Sequence, residues 1–187
     1  MMHEIRILSA SPSPRVPASS SARRAFTLIE ILCVVVIIGI ASAIIVPQIS
    51  TRDDLRCAAA ARALMADLLY AQNRSIALQK MHYVQFDTGT GTYQVLDSLS
   101  PANVITHPVN GTPYTVTVGT GSMARVSINS ASFDNQVTLG FDAMGVPYSV
   151  DTTGNVTAMN AGSVVFKAGV CQMTVTVKPY SGEITVQ

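Results

Sequence analysis

Tryptophan is absent from the 187 residues, only 12% of them are charged, and acids and bases nearly cancel at a formal net charge of +1. A chain this neutral has no broad basic surface to neutralise a phosphate backbone, so its overall charge gives nucleic-acid binding no support. Cysteine is scarce and scattered: Cys33, Cys57 and Cys171 form no CxxC and no Cys/His ligand spacing. That argues against a zinc site, and neither a metal nor a cofactor is expected. Nor is there a Ser or Cys neighbourhood around His82 or His107 that would make a nucleophile elbow. The "GTG" pairs at 89–91 and 119–121 lack a following helical pattern, so they read as turns and not as phosphate loops. What is plentiful is apolar: 48% of the residues are hydrophobic, enough for one modest core plus attachments.

The first 25 residues are rich in Ser, Pro and Ala, with Arg6, Arg15, Arg23 and Arg24 set against Glu4. Nothing there can build a core, and 1–25 reads as a disordered leader. From Phe26 to Val46 the chain is almost wholly apolar. About 21 residues at a 1.5 Å rise give roughly 31 Å of helix, one hydrocarbon thickness. The arginines ahead of it predict a cytoplasmic N-terminus and an exported remainder. Three readings compete. "ASA" at 41–43 offers a signal-peptide cleavage site and "RRAF" a loose twin-arginine signal, but the apolar run continues through Ile44, Ile45 and Val46. A plain anchor must place the Glu30 carboxylate in lipid, which costs on the order of 2.5 kcal/mol or more unless the group is interfacial, paired or neutral. The third reading gives Glu30 a partner.

"AFTLIEILCVVVIIGIASAIIVPQI" resembles the N-terminal signature of type IV pilins and of type II secretion pseudopilins. The resemblance implies a prepilin peptidase that cuts between Ala25 and Phe26 and N-methylates Phe26, leaving Glu30 as the conspicuous acid of the mature helix. Ala25 stands where that family usually has Gly, and Pro47 matches its helix-kinking proline. The physical logic is that the positive amine of one subunit neutralises the Glu of its neighbour once both are buried in a filament.

After Pro47, "STRDD" offers an N-cap, and Ala61, Leu64, Leu68, Ala71, Ser75 and Leu78 recur at three- and four-residue steps. This predicts an amphipathic helix over 48–80 that continues a membrane helix over 26–47 across a kink at Pro47. From His82 onward, alternating Val, Thr, Tyr and Ile with Gly, Asn and Pro punctuation predict short strands. They are "HYVQFD", "TYQVLD", "YTVTV", "ARVSIN", "VTLGFD", "VPYSV", "SVVFK", "CQMTVTVK" and "EITVQ". Residues 98–113, with prolines and Asn110-Gly111, read as an exposed loop available for contacts. The expected fold is α+β: a long N-terminal helix, transmembrane then amphipathic, packed on an antiparallel β-sandwich formed by 81–187.

"ARALMADLLYAQNRSIALQKMHYVQFD", "VTLGFDAMGVPYS" and the hairpin at "YSGEITV" are similar to the GspH/FimT family of minor pseudopilins and pilins. That likeness implies a non-enzymatic subunit of a short periplasmic filament, held in the inner membrane until assembly. Its partners would be the prepilin peptidase, other pilins or pseudopilins and secreted proteins. The alternative within the resemblance is a minor type IV pilin of pilus assembly or DNA uptake. The DNA-binding members carry basic residues near the C-terminus, where "KPYSGEITVQ" has only Lys178, so DNA is disfavoured as a partner. The enzymatic decoy is "FDTGTG", an aspartic-protease-like Asp-Thr-Gly at Asp87. It has no true second copy, since "VDTTG" carries an extra Thr, and a hairpin turn explains it. Cys57 and Cys171 both fall on the expected exported side, where a disulfide is permitted. Two free thiols fit the sequence equally well.

Overall fold

The computed structural model describes residues 26–187, and for 43–51 the backbone alone. The leader expected over 1–25, with Ala25, lies outside the described residues. The chain divides into two units between Ala41 and Ser42. One helix, α1 (Leu28–Leu78), is assigned across that division. The helix assignment runs through Pro47, the position of the expected kink.

The N-cap expected at "STRDD" is not one. Ser50–Asp54 lie inside α1, and such a side chain caps only where the backbone before it has left the helical region. Asp53 does something else: it is buried and paired with Arg56 at 3.3 Å and with Arg125 at 3.6 Å.

The stripe that predicted an amphipathic helix is the buried face of α1. Ala61, Leu64, Leu68, Ala71 and Ser75 are all inaccessible to solvent, as is Cys57 one turn earlier. Leu78, expected on the same face, is 54% exposed because α1 ends there. Ser75 closes that end: its hydroxyl donates to the Ala71 carbonyl (3.0 Å) and accepts from the N–H of His82 (3.2 Å).

Eleven strands follow: β1 (His82–Asp87), β2 (Thr92–Leu99), β3 (Ala102–Val104), β4 (Thr115–Thr117), β5 (Ser127–Phe133), β6 (Thr138–Phe141), β7 (Pro147–Val150), β8 (Val156–Ala158), β9 (Gly162–Ala168), β10 (Cys171–Val177) and β11 (Ile184–Val186). All pairings among them are antiparallel. One sheet runs β3-β2-β1-β6-β7-β8 with β4 also paired to β2, and the other runs β11-β10-β9-β5. Alternation does the expected sorting. His82, Val84 and Phe86 of β1 face inward, as do Val164, Phe166 and Ala168 of β9. Those residues, apart from His82, share one hydrophobic core with Leu64 and Leu68 of α1. Phe86 is the hinge between layers, its ring centroid 5.5 Å from Tyr93 and 5.6 Å from Phe133.

Two expectations change. The exposed loop over 98–113 contains β3 and buries Ile105, whose N–H donates to Val95 at 3.0 Å while its carbonyl accepts from Tyr114 at 2.8 Å. "ARVSIN" begins too early: β5 starts at Ser127, because Arg125 sits at φ 71°, outside strand geometry.

Candidate functional site

The N-terminus of α1 is built around one hydroxyl. Thr27 Oγ1 accepts the backbone N–H of Glu30 at 3.3 Å, and the Thr27 carbonyl accepts from Glu30 and Ile31 at 3.1 and 3.2 Å. Thr27-Leu28-Ile29-Glu30 is thus the Ser/Thr-x-x-Glu pattern of a capping box, a signal that was legible in the sequence and missed. A carboxylate in the first turn also complements the positive end of the helix dipole. Around it the side chains are apolar and uncovered on every side of the helix. Phe26, Leu28, Ile29, Ile31, Leu32, Cys33, each residue from Val34 to Ile38, and Ile40 are all exposed. A helix apolar all round is stable only when something apolar surrounds it, protein or lipid. Among the described residues, no helix is long and apolar enough to cross a membrane. The described side chains of the apolar run stop at Ser42.

In the second unit, three stretches separated in sequence meet at Gln72. Its Nε2 donates to the Gly145 carbonyl at 2.9 Å and to the Gly182 carbonyl at 3.4 Å. Gly145 closes the "FDAMG" turn, in which Asp142 Oδ1 accepts the N–H groups of Met144 and Val146, each at 2.8 Å. Gly182 closes the β10–β11 turn, where Lys178 and Glu183 pair at 2.8 Å. One helix amide therefore pins a turn of each sheet.

Residues 20–46 match the family described as the Prokaryotic N-terminal methylation motif. The N-terminal segment of the chain carries this methylation motif. The fold is similar to that of the minor pseudopilin EpsH from the type 2 secretion system of Vibrio cholerae, at 16% identity over 71% of this chain and 96% of that one, with a TM-score of 0.44. No curated protein sequence matches the chain. The methylation motif thus covers the capped end of α1, with Phe26, Thr27 and Glu30, and most of the exposed apolar run.

Behind the methylation motif, the second unit has its own ionisable cluster. Asp67 on α1 accepts hydrogen bonds from Tyr93 (2.5 Å) and Tyr114 (2.9 Å), so one carboxylate ties the helix to β2 and to the segment ahead of β4. Tyr114 is stacked on Tyr70 at 5.4 Å and lies 4.3 Å from the His107 ring. Burial pushes the Asp67 carboxyl up, against the pull of both hydroxyls and of His107. Burial and the Asp67 charge together push both tyrosine hydroxyls up. A carboxyl raised in the folded state adds stability at acid pH that is lost as pH rises through its folded pKa. Asp67→Asn removes an acceptor site and should cost about 1–2 kcal/mol. The gap to the parent should be widest near pH 4 and narrow toward neutrality, as read from urea midpoints across pH; a pH-independent gap would contradict this assignment.

The protease decoy is a turn. Asp87 Oδ1 accepts from the N–H groups of Gly89 (2.9 Å) and Thr90 (3.2 Å), and the hydrogen bonds from Thr90 hold its carboxyl down. Asp151 accepts from the Thr153 hydroxyl (2.7 Å) and from the N–H groups of Thr153 (2.8 Å) and Asn155 (2.9 Å), and is lowered to about 2. His82 is buried at the start of β1, with Nδ1 2.9 Å from the Lys80 carbonyl, and burial lowers its pKa. At neutral pH it is a neutral structural residue. Cys57 and Cys171, far apart in sequence, are neighbours: the Cys57 thiol donates to the Cys171 carbonyl at 3.8 Å.

Proposed function

We propose that the chain is a minor pseudopilin, a structural subunit of a periplasmic filament of type II secretion. The observation that carries this reading is the N-terminal methylation motif, set on a capped helix whose apolar side chains are exposed on all sides around one carboxylate. In this reading a prepilin peptidase cuts between Ala25 and Phe26 and methylates Phe26. The helix over 26–47 holds the chain in the inner membrane, and 81–187 folds in the periplasm. In the filament Glu30 faces the amine of a neighbouring subunit's Phe26. The apolar helix then exchanges lipid for the helices of other subunits, and no apolar surface meets water at either stage. Secretion is preferred over DNA uptake because Lys178, the one cation of the C-terminal stretch, is already paired with Glu183.

Mass spectrometry of the membrane-extracted protein tests the reading. The expected species begins at N-methylated Phe26. A soluble chain beginning near Ile44 would make the segment a signal peptide and refute the proposal.

A further inference from the structure

Cys57 lies on the fully buried face of α1, and Cys171 opens β10. The Cys57 thiol reaches the Cys171 carbonyl at 3.8 Å, which sets the two cysteines side by side. The turn that presents Cys171 is itself held against the helix. A Cβ on Gly169 would lie 3.0 Å from Asp53 Oδ2, and Asp53 is anchored by Arg56 and Arg125. Cys171 is partly accessible at the edge of this seam, while Cys57 is closed behind it. The fold has therefore brought together, as free thiols, two cysteines 114 residues apart.

We propose that Cys57 and Cys171 are an oxidation site, which closes to an intramolecular disulfide stapling α1 to β10. The oxidant is a second disulfide, of a small molecule or of a dithiol-oxidising protein. The accessible Cys171 thiolate attacks one sulfur of that disulfide, its S–S bond breaks, and the departing thiolate takes up the proton that Cys171 lost. The Cys57 thiolate then attacks the Cys171 sulfur of the mixed disulfide and displaces the second thiol. Two cysteine thiols have lost two electrons and two protons, and the oxidant has become two thiols. Burial, with the hydrogen bonds to Cys57 and Asp54, pushes the Cys171 thiol up to about 12. A thiol held so high is a poor catalytic nucleophile, so the bond acts as a staple and unassisted closure is slow. None of this depends on the filament reading, because both cysteines lie in the second unit.

The test is an equilibrium, so slow chemistry does not bias it. The full chain carrying Cys33→Ser, in mild detergent, is equilibrated with reduced and oxidised glutathione from both the reduced and the oxidised side. It is then quenched in acid and digested without reduction. The peptide pair joined through Cys57 and Cys171 should exceed the two glutathione adducts by about tenfold or more, and the preference should vanish in urea. Closing so long a loop should raise the Tm by about 10 °C. Cys57→Ser should leave Cys171 as a glutathione adduct, which also shows that Cys171 can be reached. Dominant adducts on both cysteines, or alkylation of both after equilibration from the oxidised side, would overturn the proposal. So would equal bridging in urea.

Discussion

Gly182→Ala should destabilise the folded second unit by about 3 kcal/mol or more, a large share of the 5–15 kcal/mol typical of a domain. Two separate costs add. Gly182 sits at φ +65°, where an L side chain is strained by roughly 1–2 kcal/mol. The new Cβ would also lie 2.7 Å from the Gly145 carbonyl oxygen and collide with the Gln72 amide. Neither neighbour can move freely, because that amide and that carbonyl are bonded to each other at 2.9 Å. Relieving the overlap breaks the bond and leaves part-buried polar groups unpaired, at about 1–3 kcal/mol. Gly154→Ala separates the two costs. Gly154 has a similarly positive φ of +90° but open space around its Cβ direction, so its substitution should cost only the backbone strain. Urea midpoints of both variants and the parent, followed by far-UV circular dichroism, give the comparison. Equal losses at the two glycines would refute the close approach at Gln72.

Glu30→Val should leave peptidase cleavage and membrane retention intact while reducing incorporation into filaments on the order of 100-fold, the scale set by losing one partner of a buried ion pair. Within a single subunit the carboxylate has little to do. Its place in the first turn is worth about 0.3–1 kcal/mol with the helix dipole, and the Thr27 cap bonds to the backbone of residue 30, which valine keeps. Valine is also more comfortable than glutamate in lipid. A large assembly defect with an intact helix therefore has to arise between subunits. Glu30→Gln, which keeps shape and loses charge, should follow valine and not the parent. The measurement is the ratio of filament-associated to membrane-retained protein by immunoblot after shearing. Unchanged incorporation of the valine variant would remove the proposed pairing of Glu30 with a neighbouring amine.

Local periodicity carried most of the fold. The spacing of Ala61, Leu64, Leu68, Ala71 and Ser75 named the buried helix face, and strand alternation placed β1 and β10 to within a residue. The differences at the short strands and at "STRDD" share a cause: each depends on a distant partner. β3 and β8 are three residues long and exist only because β2 and β7 accept them. "STRDD" has the composition of a helix start, but Asp53 is used by Arg125 from 72 positions away. No local pattern announces that. The N-terminal motif was readable because its chemistry is contiguous, though the Thr27 cap within it was overlooked. The motifs at Gln72, "FDAMG" and "YSGEITV" were each seen singly. Their convergence on one amide is a property of the three-dimensional structure alone.

That convergence also sets an order of events. Gln72 bonds to Gly145, 73 positions later, and to Gly182, 110 positions later. A chain delivered from its N-terminus therefore presents the helix long before the groups that satisfy it exist on the far side. Until the turn at Gly182 arrives, the β10–β11 hairpin cannot close, and Ile184 cannot reach the core it belongs to. Pairings between groups so distant in sequence form more slowly than local ones. The native arrangement of this unit is thus complete only once Gly182 is present, and truncation before it would forestall that arrangement.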